Sequence, residues 1–69
     1  MPARPTNGDF VVECVPESAH YVVRREGATI SNHRFESYAA AIAFALNSAD
    51  DHDAHAFVKG TAGWICLSR

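Results

Sequence analysis

Apolar and polar residues alternate with a period of two along most of this chain, and one stretch breaks the pattern. In residues 9–15, Phe10, Val12 and Cys14 share one face while Val11, Glu13 and Val15 share the other, as in a strand whose first set faces a core. Pro16 cannot donate to a ladder and ends the strand. After a turn at 17–19, residues 20–26 form a second strand with Tyr21 and Val23 inward and Val22 and Arg24 outward. Gly27 suits a tight turn into a third strand over 28–35, with Ile30 as its clearest apolar anchor and Phe35 placed to pack under the start of a helix. Alternation resumes over 54–59 and 64–68, on either side of Gly60-Thr61-Ala62-Gly63, a turn with two glycines. Both faces of this last hairpin carry apolar side chains, among them Phe57, Trp64, Ile65 and Leu67.

The interruption is residues 37–49, where six of thirteen residues are Ala, the best helix former. Ser37 is a suitable N-cap, although Ala40 stands where Glu or Gln would complete a capping box. At about 100° per residue, Tyr38, Ile42, Ala45, Leu46 and Ala49 form one stripe, which should face the sheet. Phe44 then falls nearly opposite, beside Ala40, Asn47 and Ser48. Asp50, Asp51 and Asp53 would oppose the macrodipole at a helix C-terminus. The helix is therefore expected to end near Asn47 or Ser48, with Asn47 as the left-handed cap in the absence of Gly. The expected fold is α+β in β-β-β-α-β-β order: an antiparallel sheet of three to five strands with a single helix packed on one face. Residues 9–69 form one domain on this reading, and 1–8, with Pro2, Pro5 and Gly8, form a flexible tail.

Several residues occur in an order that resembles a family of small uncharacterised bacterial domains with a β-β-β-α-β(β) layout. They are Val15-Pro16, Tyr21-Val22-Val23, Arg24-Arg25-Glu26-Gly27, Phe35, Ser37, Ala41-Ile42, Ala45, Ala49 and Gly63-Trp64-Ile65. The departures are Tyr21 where that family more often has Trp, His20 where Gly is common, and Ala40 in place of the acid. The resemblance implies the fold and carries no activity.

Sixty-nine residues allow one domain, and a domain near 60 residues buries only about 60% of its unfolded surface, so association would add stability. A net charge of −2 argues against a dedicated nucleic-acid binder, for which a basic domain is expected. Residues 1–8 hold no apolar signal core and no run reaches the length of a membrane span. The expected setting is therefore the cytoplasm, with no membrane partner and with Cys14 and Cys66 as reduced thiols in apolar strands.

Three groups of residues could carry function. Asp50-Asp51-His52-Asp53-Ala54-His55 contains ligand types that suit a divalent ion. Its spacing matches no diagnostic motif, so His52 and His55 are a third-ranked metal site and a solvated loop is the plain alternative. Arg24, Arg25 and Arg34, with Tyr21 to stack a base, could contact phosphates, although Glu26 and Glu36 offset them. No elbow, phosphate loop or Cys–His arrangement is present. The chain therefore reads as non-enzymatic, with no cofactor. The leading expectation is a small protein-interaction module whose first candidate partner is a second copy of itself. Phe44 on the outer helix and Trp64 on the last strand are its contact residues, with nucleic-acid binding as the runner-up.

Overall fold

The computed structural model describes residues 4–28, 33–60 and 62–67. Five strands and one helix occur in the order β1 (Phe10–Val15), β2 (His20–Arg25), β3 (His33–Phe35), α1 (Tyr38–Asp51), β4 (Ala56–Gly60) and β5 (Gly63–Cys66). The α+β class and the β-β-β-α-β-β order are as expected. Ile30 lies outside the described residues.

The sheet order is β3-β2-β1-β4-β5. β1–β2, β2–β3 and β4–β5 are antiparallel, but β1 and β4 run parallel, with Val11 opposite Phe57 and Val12 opposite Val58. The sheet is thus mixed, where the strand pattern predicts a purely antiparallel one. The reason is the helix. β1 and β3 both run antiparallel to β2 and so point the same way. One helix reverses the chain, and the next strand runs with β1 and adds beside it. Parallel strands buried on both faces read as continuous apolar runs. Phe10-Val11-Val12 and Ala56-Phe57-Val58 are such runs, and all six residues are buried.

Phe10, Val12, Val23, Ala56 and Val58 form the sheet side of the core beneath α1. Ser37 has extended backbone (φ −115°, ψ 131°), and its hydroxyl accepts from the Ala40 N–H at 3.3 Å. The buried line of the helix is Ala41, Ala45 and Ala49. Small side chains on that line let the helix axis approach the sheet. Ile42 and Leu46 then reach down one flank and Phe44 down the other, all partly buried against the core. The expected stripe is centred on its largest members, which rotates the wheel towards Ile42 and pushes Phe44 outward. Phe44 in fact packs on Phe35 (ring centroids 5.2 Å) and on His33 (4.6 Å). Tyr38, expected inward, is 46% exposed and leans on Tyr21.

The helix also runs further than expected, through Asp51. Asp53 takes the left-handed conformation (φ 54°) and His52, not Asn47, is the C-cap. Asp53 N–H donates to Asp50 O, and Ala54 N–H donates to Ala49 O at 2.7 Å, the paired bonds of a Schellman ending. Burial of Ala49 against the sheet, with these closing bonds, outweighs the unfavourable placement of two acids at the negative end of the helix.

The opposite face of the sheet carries no helix among the described residues, yet Val11 and Phe57 are fully buried on it. Within the stretch expected as a tail, Pro5 is buried and Thr6 and Gly8 are hydrogen-bonded at the end of the sheet. Gly8 N–H donates to Glu26 O, Asp9 N–H to Thr6 O, and Glu26 N–H to Asp9 O. The Arg25 Nε–H donates to Gly8 O at 3.0 Å. Buried Asp9 anchors this turn: its carboxylate accepts from the Thr6 N–H and hydroxyl and from the His55 N–H.

Candidate interaction surface

The two outer strands of the sheet are finished differently. β3 carries exposed His33 and Arg34, and charged side chains on an edge discourage another strand from pairing there. β5 reads Gly-Trp-Ile-Cys, with neither a charge nor a proline. Its inner side pairs with β4, placing Trp64 opposite Lys59 and Ile65 opposite Val58. The helix packs on β1, β2, β3 and β4 and does not reach β5. Ile65 therefore points to the helix side of the sheet, beyond the reach of α1 among the described residues, and is 55% exposed. Trp64 lies on the other face, half-buried, with the Lys59 ammonium 5.6 Å from its ring centre. Leu67, just past the strand, is held by its N–H to Ala56 O at 2.7 Å and packs against the core.

The residues singled out in the sequence are dispersed by this topology. Phe44 and Trp64 lie on opposite faces of the sheet and cannot form one surface, and Phe44 is covered by Phe35 and His33. Ile65 is the exposed large apolar side chain that sequence reasoning did not single out. Its strand alternation was visible, but its exposure depends on where the helix stops.

The basic group splits as well. Tyr21 and Arg25 lie on the helix side, Tyr21 against Tyr38 and Arg25 over the Phe10 ring at 5.3 Å. Arg24 and Arg34 lie on the other face. Arg24 is held there by Glu26 at 2.6 Å and Glu13 at 3.4 Å. The hydrogen bond that Arg24 donates to Glu26, against the opposing effect of burial and with help from Glu13, raises its pKa above the ordinary value. A phosphate would have to displace two carboxylates to reach it.

The histidines also separate. His52 donates through Nδ1 to Ser48 O at 2.8 Å and packs on Phe10 on the helix side. His55 lies on the other face, with Nδ1 3.9 Å from the Asp9 carboxylate and its ring near Phe57. No three His, Cys, Asp or Glu side chains among the described residues are grouped as a metal site requires. Cys14 and Cys66 lie on opposite faces of strands separated by β4, so they cannot be bridged.

No helix among the described residues is long and apolar enough to cross a membrane. No protein-family description, curated protein or solved structure matches the chain. The likeness to small β-β-β-α-β(β) domains therefore rests on residue order alone.

Proposed function

We propose that this chain is a small non-enzymatic interaction module that self-associates through the edge of β5. The observation that carries the reading is Ile65, more than half exposed on an edge strand that has no charge or proline to keep partners away. Antiparallel pairing of β5 with β5 of a second copy is isologous, so each contact is made twice. It would continue the sheet across the two-fold axis. The strand alternation then brings both Ile65 side chains to the helix side of the joint and both Trp64 side chains to the other. Four residues offer few backbone bonds, so the burial of Ile65 has to supply much of the affinity, and the two-fold supplies it twice. A small domain with a limited core gains most from such burial. The cytoplasm suits this reading, since its two cysteines cannot bridge each other within one chain.

Sedimentation velocity over a wide concentration range tests the proposal. A monomer–dimer equilibrium is expected, abolished by Ile65→Lys with the fold retained by circular dichroism. A wild-type chain that stays monomeric at the highest concentration, or an Ile65→Lys variant that dimerises as well as wild type, overturns it.

A further inference from the structure

On the flank of the helix away from β5, a cleft of about 320 Å³ opens between α1 and the ends of β1, β2 and β3. Phe10, Arg25, His33, Phe44, Ser48 and His52 line it, and no carboxylate does among the described residues. This is unexpected in a chain with eight acidic and six basic residues. Arg24 also contributes to the lining, but its guanidinium is already engaged by Glu13 and Glu26.

Arg25 is different. Its Nε–H is fixed by the Gly8 carbonyl and its guanidinium lies over the Phe10 ring. Its two terminal nitrogens have no acceptor among the described residues. A guanidinium held at Nε presents those nitrogens as a preset fork, the geometry that matches a carboxylate. Around it stand two aromatic pairs, Phe10 with His52 at 5.5 Å and His33 with Phe44 at 4.6 Å. Because Nδ1 of His52 faces the Ser48 carbonyl it carries the hydrogen, which leaves Nε2 available to a ligand. The volume is at the low end of the roughly 300–1,000 Å³ of small-molecule sites. Apolar ring faces with one oriented cation select a small flat molecule with a single negative end.

We infer that this cleft binds a small aromatic carboxylate, with the carboxylate on the Arg25 fork and the ring against Phe10 and Phe44. The inference does not depend on self-association, because the cleft and β5 lie on opposite flanks of the helix.

The test uses the full chain and two probes of one shape: benzoate, and the uncharged benzamide. Titration is followed by two-dimensional NMR. Saturable shifts are expected at Phe10, Arg25, His33, Phe44 and His52, with benzoate binding about tenfold or more tightly than benzamide. Arg25→Gln is expected to bring the two probes to parity. That variant also loses the bond to Gly8, so the benzoate-to-benzamide ratio in the unaltered protein is the primary measurement. Equal affinities, an absence of saturation with benzoate, or shifts centred on residues outside the cleft would overturn the inference.

Discussion

Val11 and Phe57 sit opposite each other across the parallel pair β1–β4, and both are fully buried on the face that carries no helix. The molecule therefore has two buried layers. The first lies under α1. The second is small and is closed at one end by the turn that Asp9 anchors. Truncation of a buried Phe costs about 3–5 kcal/mol, a large share of the stability of a domain this size. Phe57→Ala is expected to lower the stability measured by urea unfolding by that much or to abolish the cooperative transition, followed by the fluorescence of Trp64. Ile65→Ala, at an exposed site, should change stability by less than about 0.5 kcal/mol. Similar effects from the two substitutions would show that the second layer contributes little.

The helix contact line tolerates no bulk. Ala45 is fully buried between α1 and the sheet, so Ala45→Leu should destabilise by about 1–3 kcal/mol through overpacking, despite adding apolar surface. Phe44→Ala should also destabilise, because it removes the ring that packs on Phe35 and His33. Thermal unfolding of the pair distinguishes this arrangement from one with Phe44 outward, in which Phe44→Ala would be nearly neutral.

Asp53 closes the helix in a conformation that suits Gly better than any side chain. It also adds negative charge at the end where the helix already carries partial negative charge. Asp53→Gly is expected to stabilise the fold by about 0.4–1 kcal/mol. A lower denaturation midpoint in this variant would mean that the Asp53 side chain makes a contribution larger than its backbone strain.

Asp9 should link stability to acid. Burial alone pushes its carboxyl up, but the N–H groups of Thr6 and His55, the Thr6 hydroxyl and the nearby His55 ring together outweigh burial and hold it below its ordinary value of 3.8. A depressed folded-state pKa stabilises the fold above the unfolded value, and that stabilisation is lost as pH falls through the folded one. Denaturation midpoints measured downwards from pH 5 should therefore decline below about pH 4, and Asp9→Asn should be less stable at neutral pH with a flatter acid limb. An acid limb of the same slope in both proteins would place the linkage at other carboxylates.

The amino-acid sequence by itself determined the element order, the α+β class, the Ser37 cap and the inward faces of β1 and β2. Each of these comes from local chemistry or from a period of two or 3.6 residues, which a short window contains in full. Parallel pairing of β1 with β4 was decided by the tertiary structure. Phe10-Val11-Val12 and Ala56-Phe57-Val58 do lack the polar positions of a one-sided strand, but read for a period of two they led to a purely antiparallel expectation. The side of the helix that faces the sheet was legible only in part: Ile42, Ala45, Leu46 and Ala49 do lie against the core, but Tyr38 and Phe44 were misplaced, because a wheel shows angles and the small residues at the point of closest approach carry little hydrophobic weight. Ala41, Ala45 and Ala49 form the contact line because their size lets two backbones approach, and Phe44 is drawn inward as a consequence. The end of the helix obeyed the same rule, with burial of Ala49 outweighing the local preference against Asp50 and Asp51. The candidate sites were the least legible of all. Residues adjacent in the chain, such as Arg24 and Arg25 on one strand or His52 and His55 around one turn, are sent to opposite faces of the sheet. The Arg25 fork and the His52 ring, far apart in sequence, meet around Phe10 only once the helix is laid across β1 and β2.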